Sequence, residues 1–386
     1  MNVFTTPGLI TITCPKRLAP WLEMEVKELG FEIEETFITG LRLSGTVNDC
    51  IKLNLNLRCA SQVLYSLKSF KAGNADDIYQ QAVDFPWENI LPESGYFSIT
   101  SNVNNPTINN SMYANLRVKD ALVDRLRDKR GVRPQTGSEL SGAVIHLFWK
   151  NEDAEIFIDT SGDSLARHGY RKIPGQAPML EGLAAATILA TRWDKVSPFI
   201  NPMCGSGTVA IEAAMIATNR RPGLFRTNYA FMHLREYDEN IYLKEDGLLE
   251  EQIREIPGLR IIATDYSEKA VENAKKNAIA AGVSKLIEFK VCDFAQTEIP
   301  DSPGVVYFNP EYGERLGDIQ ELENTYGLIG DFLKKKCGGY YGYVFTGNLE
   351  LAKKIGLKAN RRIEFYTSTI DCRLLEYELY AGTRQQ

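Results

Sequence analysis

The sequence predicts two regions of different fold class, an α+β region over residues 1 to about 160 and an α/β region from Met179 onward. Helices and strands come in mixed order in the first region, whereas strand and helix alternate in the second. Regular alternation is typical of a doubly wound, Rossmann-like sheet with helices on both faces. A chain of 386 residues also favours more than one hydrophobic core.

Composition and charge narrow the function classes. The net charge of −6 argues against a protein that binds nucleic acid through its overall charge, but it allows a local basic surface. The seven cysteines form no C-x-x-C pair, so neither a metal site nor a disulfide framework is predicted. No apolar run reaches membrane-spanning length and the N-terminal residues do not resemble a secretory signal, so we expect no membrane contact and a cytoplasmic location.

The α+β region begins with a strand and a helix that is predicted to stop at Gly30. Two alternating segments, 143–150 and 155–159, are separated by Asn151, Glu152 and Asp153, which indicates a β-hairpin. The other elements follow from apolar periodicity. They are helices at 18–29, 47–55 and 75–82, and strands at 10–13, 31–37, 41–45, 64–70 and 96–103.

A basic amphipathic helix precedes that hairpin. Val118, Leu122 and Leu126 recur at helical spacing, and Gly131 and Pro134 mark its end. The helix is either a solvated face with ion pairs between residues four apart or a surface that contacts RNA. The basic side chains in and after it are Arg117, Lys119, Arg125, Arg127, Lys129, Arg130 and Arg133.

Glycine and proline punctuate residues 160–178, which indicates a linker between the two regions. This segment also carries Arg167, His168, Arg171 and Lys172. Its basic side chains are either solvated or in contact with a polyanion, and the sequence alone leaves both readings open.

The α/β region is predicted to contain a helix capped by Ser267 and ended by Gly282. Residues 218–258 interrupt the alternation and are interpreted as an inserted segment. The other helices are predicted at 180–191, 209–217, 322–336 and 349–355, and the strands at 198–200, 259–263, 286–291, 305–308, 340–346, 361–366 and 372–380.

Polar groups follow four of these strands: the loop Asn201 to Thr208, then Asp265, Asp293 and the turn Asn309 to Tyr312. In open α/β sheets, ligands bind beyond the carboxyl ends of the strands, so we expect these groups to share one site. The loop lacks the third glycine of a dinucleotide fingerprint and the Gly-Lys-Ser/Thr ending of a phosphate loop, which disfavours nicotinamide cofactors and ATP.

The two strand-end carboxylates each have two readings. Asp265 suits a ribose diol, because a carboxylate accepts several hydrogen bonds, but it could instead favour the N-terminus of the next helix. Asp293 could accept a hydrogen bond from a base amine or serve as an ordinary turn residue.

The turn Asn309-Pro310-Glu311-Tyr312 is the most specific of the four features. The Asn309 side-chain oxygen and the Pro310 carbonyl can each accept one N–H of an exocyclic base amine, and Tyr312 can stack on the base. Such a clamp would hold the amine toward a methyl donor. Taken alone, the same four residues could be a simple β-turn.

Together these residues resemble the class I S-adenosylmethionine-dependent RNA methyltransferases with an N-terminal THUMP domain, and are similar to the bacterial 23S rRNA guanine-N2 methyltransferases. The resemblance spans essentially the whole chain. It is carried by the loop Asn201 to Thr208, by Arg167-His168-Gly169-Tyr170-Arg171, and by Gly313-Glu314-Arg315-Leu316 after the turn.

This resemblance implies a ferredoxin-like segment (1–50), a THUMP RNA-binding domain (51–160), a linker (161–178) and a Rossmann-like methyltransferase domain (179–386) with the insertion 218–258. It implies S-adenosylmethionine as cofactor and RNA as partner, with three groups of site residues. Catalysis would fall to Asn309, Pro310 and Tyr312; cofactor binding to Asn201, Cys204, Gly205, Gly207, Thr208, Asp265 and Asp293; RNA binding to Arg117, Lys119, Arg130, Arg133, Arg167, Arg171 and Arg315.

Two positions depart from the family pattern: Leu180 replaces a usual lysine or arginine, and Glu311 replaces a usual second proline. The leading hypothesis is methyl transfer to guanine N2 of 23S rRNA. The alternatives are an RNA-binding protein with a degenerate methyltransferase fold and a DNA adenine-N6 methyltransferase. We expect Glu311 to reduce activity rather than abolish it, because the amine acceptors are present.

Overall fold

The computed structural model describes residues 2–108, 110–174, 178–313, 319–367 and 369–380. The elements up to residue 160 are β1 (Gly8–Thr13), α1 (Ala19–Glu28), β2 (Glu35–Phe37), β3 (Gly40–Gly45), α2 (Val47–Asn56), β4 (Gln62–Lys71), α3 (Ala75–Val83), β5 (Tyr96–Asn104), α4 (Ser111–Arg130), β6 (Gln135–Gly137), β7 (Ala143–Lys150) and β8 (Asp153–Asp159).

The elements after residue 160 are α5 (Glu181–Leu189), β9 (Phe199–Pro202), α6 (Thr208–Ala217), α7 (Glu239–Glu251), β10 (Ile261–Asp265), α8 (Glu268–Ala280), β11 (Ile287–Val291), β12 (Val305–Phe308), α9 (Ile319–Lys336), β13 (Tyr341–Thr346), α10 (Leu349–Lys354), β14 (Arg361–Thr367) and β15 (Ile370–Glu378). The elements before and after residue 160 together form two compact units. The first unit contains Met1–Cys14, Leu22–Leu165 and Pro222–Glu251, and the second contains Pro15–Trp21, Ala166–Arg221 and Gln252–Gln386.

The first unit is built on one eight-stranded sheet of order β2-β3-β1-β4-β8-β7-β5-β6. β4 pairs with β1 on one side and β8 on the other, so one sheet runs through both predicted N-terminal segments. The predicted boundary between residues 50 and 51 lies inside α2. Thr46 and Asp49 form a reciprocal capping box at the N-terminus of this helix. The predicted hairpin is confirmed as β7 and β8, and Gly131 ends α4 with a left-handed φ of 70°.

The predicted strand at 31–37 is wrong over its first residues, since β2 begins only at Glu35. Gly30 adopts a left-handed φ of 88°, and the Phe31 N–H donates to the carbonyl of Val26. The chain after Gly30 therefore closes the end of α1 before it can extend. The edge strand β6 was not predicted from the sequence, because its three residues are too few to show a periodic pattern.

Residues Pro222–Glu251, which the sequence presents as an insertion in the α/β region, cluster with the first unit. Arg226 Nη2 donates to the carbonyl of Ser161 at 2.9 Å and to that of Asp163 at 2.6 Å. The N–H of Phe231 donates to the carbonyl of Thr160. Periodicity could not reveal this packing, because it concerns contacts between segments distant in the chain.

The second unit contains a seven-stranded sheet of order β11-β10-β9-β12-β13-β15-β14, in which β15 pairs antiparallel with β13 and β14 and the other described pairs are parallel. All four residues of β12 are buried, as expected for a strand covered on both faces. Val306 packs with α9 residues such as Tyr326 in the core, and Tyr307 donates its hydroxyl to Thr187 of α5. The predicted doubly wound fold is confirmed.

Two smaller predictions are also confirmed. Ser267 accepts a hydrogen bond from the N–H of Ala270 and caps α8, and Gly282 follows its end with a left-handed φ of 68°. Among the helices in the described ranges, none combines the length and apolar character needed to cross a bilayer.

Candidate functional site

A cleft of about 970 Å³ lies at the carboxyl ends of the central strands of the second unit. β9 separates β10 from β12, so the winding direction of the chain reverses there, which is where open α/β sheets bind ligands. The predicted site residues that line the cleft are Asn201, Cys204, Gly205, Thr208, Asp265, Asp293, Asn309 and Pro310. Gly207 and Tyr312 are not in its lining. The binding and catalytic roles of all ten stay predictions.

The loop after β9 is held in a tight, partly left-handed conformation. Met203, Gly205 and Gly207 have φ values of 57°, 54° and 84°. A Cβ on Gly207 would lie 2.8 Å from the Cβ of Ala274, so this glycine allows α8 to approach the loop. A Cβ on Gly205 would meet nothing within 4 Å. Gly205 therefore leaves open space in the cleft, whereas Gly207 serves packing.

Asp265 joins the end of β10 to this loop. Its Oδ2 accepts a hydrogen bond from the N–H of Gly205 at 2.9 Å, and its Oδ1 accepts one from the N–H of Ser267 at 3.0 Å. A carboxylate offers about four lone-pair positions, so the side chain can still accept a hydrogen bond from a ligand. Both readings of Asp265 from the sequence are thus compatible with its position.

Asn201 is a buried amide at the end of β9. Its Nδ2 donates to the carbonyl of Tyr307 at 2.9 Å, which links β9 to β12. Its Oδ1 is buried without a hydrogen-bond partner among the described residues. Since buried polar atoms are nearly always satisfied, this oxygen is a candidate acceptor for a ligand in the cleft.

Asp293 is exposed and caps the short helix Phe294–Gln296 by accepting a hydrogen bond from the N–H of Ala295 at 2.8 Å. This favours its reading as a turn residue without excluding a ligand, because the side chain also lines the cleft. Burial and the nearby Asp265 raise the pKa of the Cys204 thiol. The raised pKa favours the neutral form of this thiol, which is the less nucleophilic one.

In the turn after β12, Asn309 is half-buried, Pro310 is buried and Glu311 is exposed. The ring of Tyr312 packs edge-on against Phe345, with the centroids 6.4 Å apart, and its Oη accepts a weak hydrogen bond from the Cys372 thiol. A Cβ on Gly347 would lie 2.8 Å from the Tyr312 ring. The ring thus packs beside β13, and its stacking on a base stays a prediction.

The segment that the sequence presents as a basic linker is bonded to the loop and helices of the cleft. Asn277 of α8 is buried; its Oδ1 accepts from the N–H groups of Lys172 and Ile173 at 3.0 and 3.1 Å. Its Nδ2 donates to the carbonyls of Ile173 and Ser206 at 2.9 and 3.1 Å. Because Ser206 belongs to the loop after β9, Asn277 ties the linker to that loop.

Other linker side chains add to this connection. The buried His168 and Tyr170 both donate to Oε1 of Glu212 on α6, each at 2.8 Å. Arg171 donates to the Met179 carbonyl and to Oγ1 of Thr208, the latter at 3.1 Å. Arg171 therefore braces the start of α6, a role that the sequence did not suggest.

The predicted RNA-binding residues differ in how free they are. Arg117 pairs with Asp76 at 2.6 Å, and Lys119 lies 3.8 Å from Asp120. Arg130 donates to the backbone carbonyls of residues 88, 91 and 92. Arg133 and Arg167 are exposed, and Arg315 lies outside the described residues. Arg117 is thus ion-paired, but with a residue of α3 and not with one four positions away in its own helix, and RNA contact stays a prediction for the whole group.

Several cleft residues were missed from the sequence. Tyr266 follows Asp265 and is 76% exposed, which is unusual for a large ring that lines a cleft. The position of an aromatic residue directly after a strand-end carboxylate could have predicted Tyr266 as a cleft residue. Lys269, Asn273, Glu321 and Thr325 also line the cleft from α8 and α9, and no short motif marks them.

Counted from β9, the sheet of the second unit has the order 3-2-1-4-5-7-6, with its seventh strand antiparallel. With the glycine loop after the first strand and a carboxylate after the second, this sheet defines a class I methyltransferase. The model of the RMKL-like methyltransferase domain matches residues 168–376, more than half of the chain, and the chain belongs to this family. A THUMP domain model matches residues 72–159, and an RlmL ferredoxin-like domain model matches residues 10–64.

Relatives and solved structures agree with this assignment. The "Ribosomal RNA large subunit methyltransferase K/L" of Syntrophotalea carbinolica is 36% identical over 95% of this chain and 53% of its own length. The chain spans about half the length of the curated relatives it matches. The protein SMU.472, solved with S-adenosylhomocysteine (SAH), is 27% identical with a TM-score of 0.88, covering 98% of this chain and 100% of that one.

A Listeria monocytogenes protein, described as a predicted N6-adenine-specific DNA methylase, is 29% identical with a TM-score of 0.87, and the match covers 97% of each chain.

Proposed function

We propose that this chain transfers a methyl group from S-adenosylmethionine to an exocyclic base amine in RNA, and that the amine is guanine N2 of 23S rRNA. One observation carries the proposal: Asn309 and Pro310, the acceptors suited to a base amine, line the same cleft as Asp265 and the loop after β9. A methyl donor and an amine acceptor would therefore meet within one site.

The residues of the cleft fit the proposed cofactor. Asn201 Oδ1 is a buried acceptor in need of a donor, Asp265 keeps lone pairs free, and Gly205 leaves space along its backbone. Asn201, Gly205 and Asp265 would hold the cofactor, assisted by Thr208 and the exposed ring of Tyr266. When bound, S-adenosylmethionine supplies an electrophilic methyl group on a sulfonium.

The turn after β12 would prepare the amine. An aromatic amine is a weak nucleophile because its lone pair is delocalised into the ring. Acceptance of its two N–H bonds by Asn309 Oδ1 and the Pro310 carbonyl would fix the nitrogen and favour electron density on it. Catalysis then rests on positioning and on fixed dipoles. The amine loses its extra proton after transfer, so the chain needs no preformed general base.

Two observations support RNA, and not DNA, as the substrate. A THUMP domain model matches the chain, and the curated relatives are named as methyltransferases of large-subunit ribosomal RNA. A substrate in rRNA also implies action in the cytoplasm. The target base would be taken unpaired or flipped out of its stack.

Two other functions also have observations in their favour. Adenine N6 would suit the same turn, and the Listeria neighbour is described as a DNA methylase. Glu311 within the turn and the inward-packed Tyr312 would suit a fold that binds RNA without transfer. Tritiated methyl incorporation into rRNA and into duplex DNA separates all three: rRNA only, DNA only, or neither.

The Asn309→Ala variant tests the role of the turn. We expect methyl transfer to rRNA to fall by roughly 100-fold or more, because the amine loses its side-chain acceptor. Binding of SAH should stay within about 2-fold of wild type, since residues on other strands hold the cofactor. The exposed Asn240→Ala, outside the cleft, is the matched control. Unchanged transfer in Asn309→Ala would refute the assignment.

A further inference from the structure

Glu311 is the cleft residue that the proposed chemistry leaves without a task. It directly follows Pro310, and its side chain lines the same cleft as Asn309. Partial burial, and then the nearby Glu321 and Asp265 carboxylates, raise the pKa of the Glu311 carboxyl. Glu311 is exposed and adjoins the amine clamp in the lining of the cleft. The usual proline at this position would offer no side-chain acceptor.

Guanine and adenine differ at the atom next to the amine. On the Watson–Crick edge of guanine, the N2 amine is followed by the N1–H donor. On that of adenine, the N6 amine is followed by the N1 lone pair. A base whose amine is held by Asn309 and Pro310 therefore presents either a donor or an acceptor to the next residue of the turn.

We propose that Glu311 selects guanine over adenine by accepting a hydrogen bond from guanine N1–H. The inference rests on the proposed function and names the base feature that this site reads. An ionised carboxylate can only accept, so adenine would place its N1 lone pair against a negative charge. A site built to pair with a base N–H strongly rejects an analogue that lacks it.

Neighbouring carboxylates are less suited to this task. Each oxygen of Asp265 already accepts one hydrogen bond, from Gly205 or Ser267, and the proposed function assigns its remaining lone pairs to the cofactor. Glu321 belongs to α9 and follows Pro310 by eleven residues, so the clamp does not fix its position directly. Glu311, by contrast, is fixed one residue from the Pro310 carbonyl, so its distance to a clamped base is limited by its own side-chain length.

The test compares three bases at one position. The nucleotide that the wild-type enzyme methylates in unmodified rRNA is first identified by nucleoside mass spectrometry. Synthetic RNAs then carry guanine, 2-aminopurine or adenine there. 2-Aminopurine keeps the amine but presents an N1 lone pair in place of N1–H. Wild type, Glu311→Gln and Glu311→Pro are assayed on each RNA, and SAH binding is measured for every variant as a check on folding.

We expect the guanine to 2-aminopurine rate ratio to fall by roughly 10- to 100-fold from wild type to either variant. The missing O6 of 2-aminopurine affects all three enzymes alike, so it cancels in this comparison. Glu311→Gln should also gain transfer to adenine, because its amide can donate to N1.

An equal ratio in all three enzymes would overturn the inference while leaving the proposed function intact. Loss of transfer to every base in both variants, with SAH binding retained, would also overturn it, because Glu311 would then act in positioning and not in selection. Absence of transfer by the wild-type enzyme would refute the proposed function itself, and this inference with it.

Discussion

Asp265 and Gly205 are joined by a hydrogen bond of 2.9 Å from the Gly205 N–H to Asp265 Oδ2. The bond connects the carboxyl end of β10 to the loop after β9, so one side chain shapes the loop and still faces the cleft. One carboxylate thus serves both the loop and the lining of the cleft.

Asp265→Asn should weaken SAH binding by roughly 10-fold or more, because an amide cannot accept from Gly205, Ser267 and a ligand at once. Isothermal titration calorimetry with SAH measures the effect. The exposed Asp301→Asn, outside the cleft, is the control and should bind SAH like wild type. Equal dissociation constants for Asp265→Asn and Asp301→Asn would contradict this role.

Gly205→Ala and Gly207→Ala should fail in different ways. Both place a side chain at positive φ, which costs about 1–2 kcal/mol. At Gly207 the added methyl would also collide with Ala274, whereas at Gly205 it would enter open space in the cleft. We expect Gly207→Ala to have the lower Tm of the two variants. Relative to its loss of Tm, Gly205→Ala should lose more SAH affinity than Gly207→Ala. Identical profiles for the two variants would show that this division is wrong.

Arg171→Ala should behave as a cofactor-site variant. Its guanidinium donates to Met179 and Thr208 at the start of α6, so its loss should raise the SAH dissociation constant. The exposed Arg133→Ala should leave SAH binding unchanged and weaken binding to deproteinised rRNA, with a shallower salt dependence. A weaker RNA affinity and unchanged SAH affinity in Arg171→Ala would restore the first reading of this linker residue.

His146 should make the first unit sensitive to acid. Burial lowers its pKa to about 4, from a usual value of 6.5. Between these pH values His146 is protonated in the unfolded chain but not in the folded chain. The free energy of unfolding therefore falls as the pH drops from 6.5 to about 4. The loss is on the order of 3 kcal/mol.

Denaturant unfolding of wild type and His146→Gln at several pH values checks this. The same range contains an opposite contribution from Asp159, whose pKa burial raises to about 6. The difference between the two proteins removes that contribution, because Asp159 is present in both. A difference that does not change with pH would rule out His146 as the cause.

Much of the site was predictable because strand ends carry their own signals. The buried strand β12 reads as four consecutive apolar residues, and the polar groups after β9, β10 and β12 must meet at one edge of a parallel sheet. The order of elements thus predicted the position of the cleft without knowledge of any side-chain contact.

Other features depend on contacts between distant segments. The inward packing of Tyr312 depends on Phe345 and Gly347, which no turn motif reveals. Asn277 is an isolated amide within a helix, yet its four hydrogen bonds connect the linker to the loop after β9. The packing of Pro222–Glu251 with the first unit was hidden for the same reason.

Methyl transfer to a guanine amine in rRNA is tested most directly by nucleoside mass spectrometry. The rRNA is taken from cells that lack this protein and is incubated with the purified chain and S-adenosylmethionine. We expect new N2-methylguanosine, which should be absent when Asn309→Ala replaces the wild-type chain. New N6-methyladenosine in its place, or no new methylated nucleoside at all, would contradict it.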